Sequence, residues 1–295
     1  MKIAIASGKG GTGKTTIATS LAHTLAKEEK TNVLFLDCDV EEPNGHLFLR
    51  PVLESREEVS VPIPVVNEGK CTYCGRCAEV CQYHAIAVVG KKVLVFREIC
   101  HGCGSCALNC PVEAIAERPH PIGVIEWGRS GEIAFAHGIL NVGEPMASPI
   151  IRHLKKRFLK GDFTGVAILD APPGTSCPVV ETLEGTDFAL LVTEPTPFGL
   201  HDLELAVQVA RELSLPIGVV INRDGIGDEG VERFCQENAI PVLMRIPFQR
   251  EIAEAYATGK TLVEAFPEYR ERFKTLFSQI ASILQTRAEI SGERR

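Results

Sequence analysis

Eight of the chain's eleven cysteines fall into two copies of one pattern, Cys71-x2-Cys74-x2-Cys77-x3-Cys81 and Cys100-x2-Cys103-x2-Cys106-x3-Cys110. The copies lie 29 residues apart and agree also at Gly75 and Gly104, at Ala78 and Ala107, and in the Ala-Ile-Ala that ends each. A duplicated half-domain is the simplest reading of such a repeat. Few folds accept thiols at this density. Disulfides need an oxidising compartment, and Lys2 is followed at once by an apolar strand and a glycine loop, not by the pattern of a signal peptide. Structural zinc uses pairs of Cys-x2-Cys or added histidines at longer spacing, which these four-cysteine runs fit poorly. Three thiolates at x2 spacing can instead wrap three corners of an iron–sulfur cubane, with the fourth turned toward the other half. The small residues at 75, 78, 104 and 107 leave room for iron and sulfide beside the backbone.

Residues 68–118 resemble a bacterial 2[4Fe–4S] ferredoxin. In that family the fourth cysteine of each run ligates the cluster of the other run. The resemblance therefore implies one cluster on Cys71, Cys74, Cys77 and Cys110 and a second on Cys100, Cys103, Cys106 and Cys81. One departure is visible: Pro111 follows Cys110 as in the family, but Gln82 follows Cys81. It is expected to alter the local turn and not the ligation.

The start of the chain carries a second motif. Residues 2–6 read as a buried strand, followed by Ser7-Gly8-Lys9-Gly10-Gly11-Thr12-Gly13-Lys14-Thr15-Thr16 and an amphipathic helix to about Lys27. Gly8-x4-Gly13-Lys14-Thr15 satisfies the P-loop pattern in its strand-to-helix context. Glycines permit the turn, and backbone N–H groups at the helix start hold phosphate oxygens. Lys14 would neutralise the β and γ phosphates, and the Thr15 hydroxyl would ligate Mg²⁺. The same loop also matches Gly8-x-Gly10-x-x-Gly13, a dinucleotide fingerprint, with Asp37 placed for a ribose. Lys14-Thr15-Thr16 favours the P-loop, because a dinucleotide loop has no use for a phosphate lysine followed by two hydroxyls.

With Lys9 included, the loop resembles the deviant Walker A motif of the MinD, ParA and nitrogenase-iron-protein superfamily. That resemblance implies an ATP sandwich homodimer in which Lys9 reaches the partner's nucleotide. It also implies that Asp37 and Asp39, which end the strand from Asn32, form switch I: Asp37 in the Mg²⁺ shell, Asp39 orienting the attacking water. An aspartate at a strand end is also a common helix cap. Asp170, ending the strand from Gly165, resembles the Walker B acid, and Gly174 in Ala-Pro-Pro-Gly174 would sense the γ-phosphate through its N–H. Asn222 and Asp224 lie where the superfamily reads its base. Asp224 is two residues after Asn222, not the three of a guanine signature, so adenine is expected, with the Asn222 amide as donor and acceptor. Pro247-Phe248 resembles the second adenine-side loop.

Apolar strands ending near Glu194 and Asn222 alternate with helical stretches, the pattern of an α/β protein with a doubly wound, mostly parallel sheet. The expected division is a discontinuous P-loop domain, 1–61 and 119–295, with an inserted ferredoxin-like α+β domain at 62–118. Pro62 and Pro64 before the insert, and Pro119 and Pro121 after it, are expected to make stiff, sharp junctions between the two switch segments. Cys38 and Cys235 read as small buried residues. Cys177 lies seven residues after Asp170, where the nitrogenase iron protein carries a cluster ligand, but has no recognisable second ligand and is read as structural.

A chain of 295 residues holds one α/β domain plus a small module, and a net charge of −7 argues against nucleic acid as main partner. The basic run from Arg152 to Arg157 reads as the solvated face of a helix starting near Ser148, with Ile150, Ile151, Leu154 and Phe158 inward. Phe273, Leu276, Phe277, Ile280, Ile283 and Leu284 form a stripe read as core-packing, and no stable membrane association is expected. The sequence thus predicts a cytoplasmic, dimeric, Mg²⁺-dependent ATPase with two [4Fe–4S] clusters, gating electron transfer to a redox or metalloenzyme partner. The alternatives are a metal or cluster carrier, for which no Cys-x-x-Cys follows Cys110, and a MinD- or ParA-type positioning switch, which leaves the clusters unexplained. Glutamine-dependent amidation, as in cobyrinic acid diamide synthases, lacks room for a glutaminase after Phe248.

Overall fold

The computed structural model describes residues 1–27, 29, 31–161 and 163–292. Strand β1 (Lys2–Ala6) leads through the glycine loop into helix α1 (Lys14–Lys27), and β2 (Val33–Asp37) into the short α2 (Gly45–Leu49). The long strand β3 (Val52–Val66) is followed by α3 (Arg76–Glu79), the hairpin β4 (Ile86–Val89) and β5 (Lys92–Val95), and α4 (Ser105–Leu108). The return strand β6 (Ile115–Ser130) then turns into β7 (Ile133–Leu140). Helices and strands alternate from there: α5 (Ser148–Phe158), β8 (Val166–Asp170), α6 (Cys177–Leu183), β9 (Phe188–Thr193), α7 (Pro197–Glu212), β10 (Ile217–Asp224), α8 (Gly230–Glu237) and β11 (Val242–Pro247). The chain continues through α9 (Arg250–Ala257), α10 (Leu262–Ala265) and α11 (Tyr269–Gly292).

One sheet runs β11-β10-β9-β1-β8-β2-β7-β6-β3. It is parallel from β11 to β7 and antiparallel at the last two strands. The parallel strands are apolar at nearly every position because helices cover both faces. On one side α1 and α11 pack Ile17, Leu21, Phe273, Leu276 and Ile280 against Ile3, Phe35 and Ile168. Phe277, Ile283 and Leu284 pack on that cluster too, so the C-terminal stripe is core. On the other side α5, α6 and α7 bring Ile150, Leu154, Val179 and Leu203 onto Leu36, Leu169 and Leu191. No helix among the described residues is long and apolar enough to cross a membrane.

The antiparallel edge carries the cysteines. Strand β7 pairs with β6 only as far as Gly123, opposite Leu140, whereas the β3–β6 ladder continues through Ser60 opposite Pro121 to Val66 opposite Ile115. Because β7 runs parallel to β2, this two-stranded ribbon overhangs the edge of the sheet at which β2 ends in Asp37. The prolines expected as junctions lie inside the ribbon, Pro62 directly opposite Pro119, and the strands run through them unbroken. The expected stiffness is thus that of a continuous ladder, and the sharp junctions expected at these prolines are not found there. In a two-stranded ribbon alternate N–H groups point away from the partner, and Pro62, Pro64, Pro119 and Pro121 share one parity of the ladder, so all four can occupy outward-facing positions.

Beyond the ribbon the repeat is legible in the backbone. Left-handed residues recur at the 29-residue offset: Tyr73 and Gly102 (φ 55° and 60°), Gly75 and Gly104 (82° and 75°), His84 and Glu113 (52° and 50°). Each glycine of the middle pair ends the approach to a one-turn helix, α3 or α4.

Candidate functional sites: a nucleotide cleft and two cysteine cavities

Parallel strands deliver their C-terminal residues to one edge, and a cleft of about 380 Å³ opens there. Its walls include Gly10, Gly11, Gly13, Lys14, Thr15, Thr16, Asp39, Asn222 and Pro247. Gly11 and Gly13 have φ of 77° and 94°, and a Cβ on Gly13 would lie 2.4 Å from the Asn222 amide nitrogen. Gly8 is outside the cleft and packs on α7, where a Cβ would meet the Asp202 carbonyl at 2.1 Å. Thr12 is buried with its hydroxyl unpartnered.

Burial depresses the Lys14 ammonium pKa, while Asp170 and Asp39 work against that shift. The facing carboxylates are pushed the other way. Asp37 and Asp170 sit opposite each other on β2 and β8, and desolvation, then mutual repulsion for Asp37, raises it well above the carboxylate range. Desolvation raises Asp170 too, to about 7, against the Thr15 hydroxyl and Lys14. Asp39, also desolvated, is raised to about 6. The two buried acids differ in their partners. Asp37 accepts from the Gly45 N–H at 2.8 Å and the Asp39 N–H at 3.2 Å, so both its oxygens hold the backbone that follows β2. The Thr15 hydroxyl approaches Asp170, yet neither Asp170 oxygen has a partner at full hydrogen-bond geometry. Two open oxygens beside a threonine hydroxyl fit the inner sphere of a hard cation such as Mg²⁺.

Asn222 donates its amide N–H to the Thr12 carbonyl at 2.8 Å. One N–H of that NH2 group and the Oδ1 remain, so the side chain can still present a donor and an acceptor to a base. Asp224 is turned away from the cleft toward Arg245, 3.6 Å distant. Gly174 lies near the loop but outside the cleft walls, and its N–H donates to the Ser7 carbonyl at 3.1 Å. Lys9 ion-pairs within its own chain with Glu194 at 3.5 Å, and Arg223 holds the other Glu194 oxygen at 3.3 Å. Sequence reasoning missed Glu194, Arg223, Asn44 and the α9 wall of Ile252, Ala253 and Tyr256. Phe248, 63% exposed beside the cleft, was the one cue to that wall.

The eight repeat cysteines line two small cavities. Cys71, Cys74, Cys77 and Cys110 surround one, with Val66, Val88, Val93 and Ile115. Cys81, Cys100, Cys103 and Cys106 surround the other, with Tyr83, His101, Pro64 and Glu117. Each set takes three thiols from one copy and one from the other. All are free thiols. Backbone N–H groups point at sulfur in matching places, Ala85 to Cys81 and Ala114 to Cys110, both at 3.2 Å. Among the described residues no three His, Cys, Asp or Glu side chains gather tightly enough for a single metal ion; tetrahedral zinc needs sulfurs about 3.8 Å apart. Burial raises the Cys77, Cys100 and Cys106 thiols, whereas the Ser105 hydroxyl lowers Cys103. Cys38 and Cys235 are buried in the core, and Cys177 is exposed at the start of α6.

Comparison with known proteins converges on the nucleotide edge. The CobQ/CobB/MinD/ParA nucleotide binding domain matches residues 3–263. An uncharacterized protein of Methanocaldococcus jannaschii is 33% identical over 265 residues, covering 90% of this chain and 92% of that protein. A cytosolic Fe-S cluster assembly factor NUBP1 homolog of Brugia malayi is 24% identical over 289 residues, covering 90% of this chain and 75% of that protein. The septum site-determining protein MinD of Pyrococcus horikoshii, complexed with Mg-ADP, shares the fold with a TM-score of 0.59 at 20% identity, over 96% of this chain and 98% of that one.

Proposed function

The chain belongs to the CobQ/CobB/MinD/ParA family of P-loop nucleotide-binding proteins, and from that premise we propose a Mg²⁺-dependent ATPase whose nucleotide state, in a face-to-face homodimer, governs electron transfer through two [4Fe–4S] clusters to a protein partner. The observation that carries this reading is the sorting of the cysteines into two cavities of four thiols each, on a ribbon that overhangs the same sheet edge as the nucleotide cleft.

Lys14 and the loop amides would hold the β and γ phosphates, with Thr15 and Asp170 binding Mg²⁺ and Asp37 fixing switch I around them. Asp39 lines the cleft and would orient the attacking water. Glu194 would release Lys9 to the partner's nucleotide, and Arg223 keeps Glu194 from being left buried without a cation. The Asn222 Oδ1 and its remaining N–H would suit the amino group and a ring nitrogen of adenine. In the cavities, all-thiol donors and N–H groups aimed at sulfur fit [4Fe–4S] clusters, Cys71, Cys74, Cys77 and Cys110 holding one and Cys81, Cys100, Cys103 and Cys106 the other. When bound, each cluster supplies a one-electron couple whose potential responds to hydrogen bonds and exposure.

Iron analysis of anaerobically reconstituted protein should return about eight irons per chain, and Mg-ATP should change the rate of reduction by a protein donor or the affinity for the acceptor. About four irons, or no ATP effect on either quantity, would overturn the reading. A second reading, ATP-driven delivery of a cluster as cargo, is favoured by one observation, the similarity to an Fe-S cluster assembly factor. Labelled iron passing to an apo-acceptor in an ATP-dependent manner separates it from pure electron transfer.

A further inference from the structure

The two cysteine cavities stand at different distances from the ATPase core. Gly102 of the second set packs directly on the ribbon, where a Cβ would lie 2.6 Å from Val61 and 2.9 Å from Pro62. Its cavity also touches Pro64 and Glu117. The first set borders Val66 and Ile115, the last pair of the ladder. Cys81, Cys100, Cys103 and Cys106 are thus proximal, and Cys71, Cys74, Cys77 and Cys110 distal.

Helix α5 packs on α6 to one side and on β3, β6 and β7 at the base of the ribbon to the other. Toward α6, which follows the Ala171–Gly174 loop that would be switch II, Arg152 holds Glu181 through two bonds of 3.2 and 2.6 Å. Lys155 caps the C-terminal carbonyls of the same helix, bonding Glu181, Thr182 at 3.2 Å and Glu184 at 2.6 Å. Toward the ribbon, His153 and Arg157 share Glu57 of β3 at 2.8 and 3.7 Å, and Arg157 lies 5.2 Å over the Trp127 ring of β6. Ile150 fills the space that side chains on Gly123 and Gly138 would occupy. Gly123 is the residue at which the ribbon parts from β7, and Gly138 also abuts Val40, just after switch I.

Coupling between sites requires an element with two arrangements that both sites bias. Switch II offers one. The Gly174 N–H donates to Ser7, and a γ-phosphate on the loop would compete for that donor three residues before α6 begins. A helix tied at its far end by Lys155 cannot shift without α5.

We propose that α5 is the crossbar through which nucleotide state reaches the ribbon, and that the proximal set, Cys81, Cys100, Cys103 and Cys106, is the one it repositions. The proposal rests on the nucleotide-gated reading above. Arg152 and Glu57 are its positioning residues at the two ends, both on the surface and outside either site.

Hydrogen exchange read by mass spectrometry on the full chain, purified anaerobically, tests it. In the unmodified protein, Mg²⁺ with a non-hydrolysable ATP analogue should change exchange about threefold or more in two peptides, 171–183 of switch II and 97–106 of the proximal set. In Arg152→Gln and in Glu57→Gln the first change should persist and the second should fall by at least about half. A response at 97–106 that survives in both variants overturns the crossbar, as does its absence from the unmodified protein while 171–183 responds. Silence at 171–183 overturns the nucleotide-gated reading itself, and the crossbar with it.

Discussion

The nucleotide edge and the cysteine insert are built on opposite principles. At the edge, Asp37, Asp170 and Glu194 stand at or just after the ends of strands whose interiors are fully buried, so packing holds them even where their charges repel. Between residues 67 and 114 the buried side chains are those of Cys77, Ala85, Ile86, Cys100 and Ala114, too little apolar surface to order a segment of that length. One region is preorganised by its core. On the proposed reading the other would depend on what its thiols bind, since metal-binding energy becomes folding energy where a core is lacking.

The widest separation between the two should come from Lys14→Ala. Removing a buried phosphate-facing charge should weaken Mg-ADP binding on the order of a hundredfold or more, measured by calorimetry, while iron content stays unchanged. A fall in iron would mean that the insert is not independent of the edge.

A smaller and reciprocal effect is expected for Cys77→Ser. Iron should fall from about eight to about four per chain, and amides of 67–114 should lose about tenfold or more of their exchange protection, with Mg-ADP affinity within about twofold. Protection retained without iron would show that the insert has a sufficient core after all.

The smallest effect concerns the strain stored at the edge. Asp39 and Asp170 are raised to about 6 and about 7, above an unfolded value near 4. Across that window the folded chain holds protons that the unfolded chain has released, so these groups cost stability as pH rises from about 4 to 7 and the cost persists above. Asp170→Asn should therefore raise Tm by about 3–6 °C at pH 8 and by almost nothing at pH 4, in thermal melts without nucleotide. Equal shifts at both pH values would refute the buried-charge account.

Several of these features are legible before folding. Spacing put the cysteines in two runs of four, because x2 and x3 intervals act over one helical turn, and the exchange of the fourth cysteine between runs came from the ferredoxin resemblance. The phosphate loop is likewise local, and long apolar runs can only be strands covered on both faces. The ribbon was not legible. Strands β3 and β6 carry glutamates, arginines and prolines that look like linker residues, and only their mutual pairing makes them a continuous ladder. Nor does any local pattern distinguish Asp37, which clasps Gly45, from Asp170, which is left open. Both are aspartates at the ends of apolar strands.

By itself, then, the sequence determined the chemistry available: a phosphate loop, a row of acids at strand ends, and eight thiols in two runs of four. These follow from contacts within a few residues, which are the same in any fold that accepts the segment. Tertiary structure decided which of those groups face one another. It placed the ribbon past the nucleotide edge, set one thiol cavity nearer the core than the other, paired Lys9 with Glu194, and laid α5 between switch II and the ribbon root. Those relations join residues far apart in the chain, and only the registers of the sheet and the packing of helices on its faces bring them together.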